Sequence, residues 1–570
     1  LQGNHPFIHQ YTGEVTIATR FLAVLLALSS ASPAEVTADR LIHAAAESQN
    51  WLTYSGTYNA WRYSGLNQIN QENVKRLLPA WTFQTGDPEG GFSNTPLVAD
   101  GVMYISSPRN RVFAINAASG QELWHYYYSL PKGTVVSYGP VNRGLALADG
   151  LIFMGTLDNH LVALDIHTGK EVWNVNIEDS TQCGCNITGA PLVVKDKVLV
   201  GVTGGDSAHR GYINAFFTKT GRRAWRFWTI PGPKEPGNET WAGESWKLGG
   251  GATWLTGSFD PELNLVYWGI GNPAADLYGG AREGSNLYTD SIVALDADTG
   301  NLKWHYQEIP HDVWDWDSAY ECVLIDRTID GVNRKLLVHP NKGGYTWVLD
   351  RVTGQFVTAW RFGENVSWIS GIDHHGKLLG RHEPVKDEPT MVCPSVSGSR
   401  SWNHASYSPQ TGLFYTAVME YCDLITPRKE PLTPGAVAFG GEYAMKRPPQ
   451  GKAGGHLDAF DPLTGERMWS YRSKYPLLAS TLATAGNLIF SGDPEGHFFA
   501  LDALSGQKLW SFSTGSGHRG SPVTYSVNGR QYVAVPSGWG SAVAGAMPQI
   551  WPETEDFPAG ATLFVFALPE

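Results

Sequence analysis

Short apolar runs broken by Gly, Pro, Asp and Asn recur along the chain from Trp51 to its end. That rhythm predicts many short strands joined by tight turns rather than amphipathic helices. Superimposed on it is a spaced pattern, A-x5-G-x3-W. It occurs at Ala114/Gly120/Trp124, Ala163/Gly169/Trp173, Ala215/Gly221/Trp225, Ala294/Gly300/Trp304, Ala459/Gly465/Trp469 and Ala500/Gly506/Trp510. A degraded copy, VLDRVTGQFVTAW, keeps Gly354 and displaces Trp360 by two positions, and the half copy LLPAWTFQTG carries Trp81. Each copy reads as a strand, a D-x-x-T-G turn whose Gly takes a positive φ, and a second strand. Small Ala and large Trp suit stacking of the Trp of one sheet over the turn of the next. Eight such units predict an all-β, eight-bladed β-propeller, a fold that leaves only short, protected sheet edges. The half copy at Trp81 needs a partner, and the run Ala561 to Leu568 is the expected closing strand.

Composition agrees with this reading. The 64 Gly, 34 Pro and 22 Trp, with only 17% charged residues, argue for one repetitive domain over 35–570 despite the length of 570 residues. A formal charge of −12 without a Lys/Arg tract excludes nucleic acid and anionic membranes as natural partners and favours a basic protein partner. Arg20, the apolar run Phe21 to Leu28 and the small residues Ser32 and Ala34 read as a secretory signal peptide with the segment before it, over 1–34. The mature chain is then expected to be periplasmic or secreted, with no segment able to span a bilayer. Five cysteines fit an oxidising compartment, and none lies in the C-x-x-C-H arrangement of a c-type haem. Two Trp-to-Trp intervals, from Trp225 to Trp304 and from Trp360 to Trp469, are long and Gly/Pro-rich, as loops that build or cover a site often are.

The A-x-D-x-x-T-G-x-x-x-W repeat is similar to the tryptophan docking motif of the dehydrogenases that use pyrroloquinoline quinone (PQQ). The chain resembles that methanol and alcohol dehydrogenase family through VNRGLA (Val141 to Ala146), GGGATW (Gly249 to Trp254), GNPA (Gly271 to Ala274), PHDVWDWD (Pro310 to Asp317) and HPNKGG (His339 to Gly344). The resemblance implies oxidation of an alcohol to an aldehyde or ketone by hydride transfer to metal-activated PQQ, with a soluble cytochrome c taking the electrons. It implies Trp254 as the flat floor for the cofactor, Arg143 for a cofactor carboxylate, Thr188 and Thr203 as hydroxyl donors, Lys342 at the quinone oxygens and Trp539 nearby. Asp315 becomes the general base. The implied metal ligands are Asp206, Asn272 and Asp315, with oxygen donors that suit a hard cation. Asp317 stands at i+2 from Asp315, and two carboxylates on one side of an extended segment repel unless a cation of high charge lies between them. This D-x-D resembles the lanthanide-dependent branch of the family, with Ca²⁺ as the alternative ion.

Several positions depart from the family pattern. Its adjacent cysteine pair is replaced by Ser137 and Tyr138, with Tyr138 a possible ceiling over the cofactor, and Cys183 and Cys185 could close a small ring near Thr188. Cys393 and Cys422 match a structural disulfide, which leaves Cys322 free. Asp206 is shorter than the usual Glu, and Ser93, Ser401 and Leu478 replace larger or more polar residues, which favours an alcohol larger than methanol. The rival readings are a non-catalytic propeller acting as an assembly scaffold and a cofactor-binding but inactive paralogue.

Overall fold

The computed structural model describes residues 35–134, 136, 139–329 and 331–570; the expected signal segment 1–34 and the replaced pair Ser137 and Tyr138 lie outside the described residues. Glu35–Glu570 forms one compact unit. Eight of its sheets contain four strands or more. In most of them the strands follow the chain as an antiparallel meander, as in Ala146–Ala148, Leu151–Gly155, His160–Asp165 and Glu171–Asn176. Burial falls across each meander. In that sheet the first strand, Ala146–Ala148, is wholly buried and the fourth, Glu171–Asn176, is exposed or half-buried throughout, as expected where one strand lies inside and another meets solvent.

The D-x-x-T-G turns form as read. Asp165 accepts from the backbone N–H of His167 (3.1 Å) and Thr168 (2.8 Å) and from Thr168 Oγ1 (2.7 Å), and Gly169 sits at φ +67°. The aspartate makes the turn locally and the glycine supplies the left-handed residue. Each repeat Trp then bonds to the neighbouring sheet. Trp81 donates from Nε1 to the carbonyl of Ala117, Trp124 to Ile166, Trp173 to Thr218, Trp225 to Ala297, Trp304 to Arg351, Trp360 to Pro462 and Trp469 to Ala503. Trp510 returns to the carbonyl of Leu77 at 3.2 Å, which closes the series. The N-terminal strand Leu78–Gln84 pairs antiparallel with the C-terminal strand Thr562–Ala567, as the half copy at Trp81 requires.

A Cβ on Gly300 (φ +73°) would lie 2.5 Å from Trp225 Cε3. Gly300→Ala is therefore expected to destabilise the fold by at least about 1–3 kcal/mol, the usual cost of a non-Gly residue held in a disfavoured backbone region. A lower urea midpoint checks this, and an unchanged midpoint would show that the Trp-over-Gly contact is not tight.

The meander also decides where chemistry can collect. The start of a first strand and the end of the antiparallel second strand share one end of the sheet, and the turn between third and fourth strands lies at the other. Arg143, Thr188, Trp254, Asp315 and Asp317 precede first strands, whereas Thr203, Asp206, Asn272, Lys342 and Trp539 follow second strands. All ten therefore sit at the end opposite the Trp-covered turns of their own sheets. Part of the long 360–469 interval reaches the same end: Ala438 N donates to the carbonyl of Asp206 (2.9 Å), and Leu277 N to that of Phe439 (2.8 Å). Cys183–Cys185 and Cys393–Cys422 are disulfide-bonded, and Cys322 is free and buried. Among the described residues, no helix is long and apolar enough to cross a membrane.

Candidate functional site

Two groups of charge meet at Trp254. On one side is the Arg143 guanidinium, 5.0 Å from the Trp254 ring and 5.4 Å from the Trp402 ring. Its Nη1 donates to Thr188 Oγ1 at 2.5 Å, and its buried Nε has no partner among the described residues. Burial lowers its pKa to about 10. Arg519, on the loop Ser516 to Gly520, puts its guanidinium 5.3 Å from the same Trp402 ring. Burial, reinforced by Arg143, lowers its pKa to about 9, and its Nε is also without a partner among the described residues. Arg519 Nη1 donates to the carbonyls of Gly540 and Gly90, so what both buried guanidiniums leave open is Nε; beside aromatic faces they suit an anionic flat ligand carrying carboxylates.

On the other side are the acids. Asp317 Oδ1 accepts from Trp254 Nε1 (3.2 Å) and from Asn272 N (3.3 Å), and Lys342 Nζ lies 2.8 Å from Asp317 Oδ2. The same ammonium is 3.2 Å from Asp315 Oδ2 and donates to the Asp315 carbonyl at 2.7 Å. Burial opposes the charge on Lys342, yet Asp315 and Asp317 hold its pKa well above the ordinary lysine value. The Asp315 carboxyl is raised, first by burial and further by Asp206 and Asp317, against the opposing pull of Lys342.

The PHDVWDWD motif explains how this pair is presented. Asp312 accepts from Trp314 N (3.0 Å) and Trp316 N (2.9 Å), which pins the loop. Trp314 and Trp316 are fully buried and stack at 5.0 Å against each other, both edge-on to Trp368. Asp315 and Asp317 alternate with them and keep 18% and 7% of their side chains exposed. Asp315 itself is at φ +63°, so the segment is a pinned loop and not the extended strand that the i+2 argument supposed.

A trio of acids stands beside this pair. One oxygen from each of Asp206, Asp276 and Asp315 lies within 4.8 Å of the others. Asn272 Nδ2 donates to Asp206 Oδ1 (3.2 Å) and Asp276 Oδ1 (2.8 Å), so its amide nitrogen faces the acids; ligation through Asn272 Oδ1 needs the amide to flip. Of the expected ligands, Asp206, Asn272 and Asp315 are thus brought together. Asp317 adjoins them through Lys342 and Asn272 N but is not one of the trio.

The remaining expected residues are placed as follows. Thr203 Oγ1 accepts from Asn186 N at 2.9 Å. Trp539 covers Gly517 and shares an apolar cluster with Met419, Tyr421, Met445 and fully buried Leu478. Ser93 is buried with its hydroxyl unpaired among the described residues, and Ser401 is half-buried. Sequence reasoning missed Asp276 and Arg519. Their signals were slight: a lone acid in the apolar stretch GNPAADL, and an Arg in GSGHRGSP.

The family described as "PQQ: Glucose/ethanol/alcohol dehydrogenase, beta-propeller domain" matches residues 51–361 and 473–533. Quinoprotein alcohol dehydrogenase PedH of Pseudomonas putida is 36% identical over 568 residues, covering 95% of this chain and 95% of its own. The lanthanide-dependent methanol dehydrogenase of Methylorubrum extorquens is 36% identical over 558 residues, covering 92% of each chain. The solved structure of a europium-containing methanol dehydrogenase has a TM-score of 0.88 at 36% identity, covering 93% of this chain and 100% of that one.

Proposed function

This chain belongs to the PQQ-dependent alcohol/methanol dehydrogenase family of β-propeller oxidoreductases, and from that premise we propose that it oxidises an alcohol with Asp315 as general base, in an eight-bladed propeller held by tryptophan docking. The observation that carries the reading is the meeting at Trp254 of a guanidinium that makes no ion pair among the described residues and a cluster of carboxylates. Arg143 stands 5.0 Å from its ring and Asp317 Oδ1 lies 3.2 Å from its Nε1.

The residues fit the groups that the family implies. Arg143 and Arg519 offer under-bonded donors for the carboxylates of PQQ, Thr188 orients Arg143, and Trp254 gives a flat face. Asp206, Asn272, Asp315 and Asp317 offer oxygen donors for a metal ion. When bound, PQQ supplies the hydride acceptor and the metal a Lewis acid. The protein's part is then to place the alcohol and to move a proton. The Asp315 carboxylate takes the hydroxyl proton, and the alcohol leaves as an aldehyde or ketone. Lys342 fixes that carboxylate through its Nζ and holds the loop through the Asp315 carbonyl. Leu478, which shares a buried apolar cluster with Trp539, is smaller than the Trp that the family pattern places there, which favours an alcohol larger than methanol.

The clustered acids favour a lanthanide ion over Ca²⁺, since a trivalent ion offsets more of their mutual repulsion. A formal charge of −12 favours a basic soluble cytochrome c as the electron acceptor, and the residues 1–34 favour export to the periplasm. A non-catalytic scaffold has no use for a buried cluster of this kind, and an inactive paralogue would tolerate loss of the base.

The test is reconstitution of the purified protein with PQQ and either La³⁺ or Ca²⁺, followed by dye reduction over a series of alcohols. Turnover with La³⁺ well above that with Ca²⁺ is the expected result. No turnover with either ion would sink the enzyme reading, and turnover with Ca²⁺ alone would remove the role given to Asp317.

A further inference from the structure

Asp276 is a buried acid that makes no ion pair among the described residues. Its side chain is fully buried. Oδ1 accepts from Asn272 Nδ2 at 2.8 Å, and Oδ2 has no partner among the described residues. Lys342, the ammonium of the cluster, reaches Asp315 and Asp317 instead. A buried carboxylate with a bare oxygen is costly unless a cation or a proton completes it.

Its position suits a cation. Two oxygens that touch one cation at about 2.4 Å are at most about 4.8 Å apart. One oxygen from each of Asp206, Asp276 and Asp315 lies within 4.8 Å of the other two. The backbone on either side of the carboxylate is also held. The carbonyl of Ala275, one residue before, accepts from Arg282 Nη2 (2.9 Å), Leu277 N, one residue after, donates to Phe439 O (2.8 Å), and Asn272 Nδ2 bridges Asp276 to Asp206. Four carboxylates, those of Asp206, Asp276, Asp315 and Asp317, face one ammonium, that of Lys342, and leave three formal negative charges.

We propose that Asp276 is itself a ligand of the metal ion and the residue that completes a site matched to a trivalent cation. The inference rests on the reading of this cluster as a metal site. Coordination by Asp276 adds a charged oxygen donor, and ligand charge count and site rigidity are what tune the affinity of such sites. A trivalent ion gains more from that added charge than a divalent one.

The experiment is calorimetric titration of La³⁺, and separately of Ca²⁺, into the PQQ-loaded full-length protein and its Asp276→Asn variant. Eu³⁺ luminescence lifetimes in H₂O and D₂O count the bound waters. The variant is expected to bind La³⁺ at least about tenfold more weakly, to lose much less for Ca²⁺, and to admit an extra water on Eu³⁺. Should the amide not fold, Asp276→Ser gives the same readout with a smaller side chain. Failure of the unaltered protein to bind any of these ions would instead remove the metal-site reading. Binding by the unaltered protein, with affinity and water count unchanged in the variants, would overturn the assignment of Asp276 alone.

Discussion

Asp315→Asn is expected to lower kcat by about 10²–10⁴-fold, the range typical of losing a general base, while the protein folds normally. Asparagine has nearly the same shape and tolerates the left-handed backbone that Asp315 adopts at φ +63°. The Asp315 carbonyl still accepts from Lys342 Nζ at 2.7 Å, and Lys342 keeps its 2.8 Å contact with Asp317. The loop remains pinned by Asp312 beneath it. What disappears is an oxygen able to take the hydroxyl proton. Asp315 is also a proposed metal ligand, so kcat is measured at saturating La³⁺ with metal content determined on the same sample. A variant that is metal-loaded and within tenfold of the parent would show that the base is another group.

The distinction between what was legible and what was not follows from range. The docking turns were readable because everything that makes them is local: Asp165 bonds to residues two and three ahead of it, and Gly169 supplies the positive φ. Arg143, Trp254, Asn272 and Lys342 were readable because each lies in a motif of several residues. Asp276 was not. Its meaning depends on Asn272 bridging it to Asp206, 66 residues away from that asparagine in the chain, and a lone acid in a loop carries no trace of such a contact. The D-x-D pair is visible in the sequence, but the charge that lies between its carboxylates is not. Lys342 Nζ, 27 residues from Asp315, already stands between the two carboxylates. Only the fold brings that charge there. Arg519 is a similar case, since its neighbours Trp402 and Arg143 come from other parts of the chain.

Lys342 therefore has two duties, and removing it should separate the metal-free from the metal-loaded protein. Lys342→Met keeps most of the volume and deletes the one ammonium that faces Asp315 and Asp317. Breaking a buried ion pair by removing one partner costs about 3–5 kcal/mol, because the other charge is left uncompensated. Losses of that size are expected in the metal-free variant at neutral pH. La³⁺ should restore much of the difference, since a cation held by the same carboxylates replaces the missing charge.

The sign of the pH dependence follows from the direction of the shifts. Asp276 and Asp315 have folded pKa values above the ordinary value, chiefly through burial. Above about pH 3.9, where an unfolded Asp releases its proton, the folded protein holds more protons than the unfolded one. Stability of the metal-free protein then falls as pH rises through that window, and more steeply once Lys342 is gone. Urea midpoints at pH 5 and 7.5, with and without La³⁺, measure both effects. Equal midpoints for parent and variant in the metal-free state would mean that Lys342 does not hold the acids together. A deficit that La³⁺ leaves untouched would mean that the lysine acts through packing and not through charge.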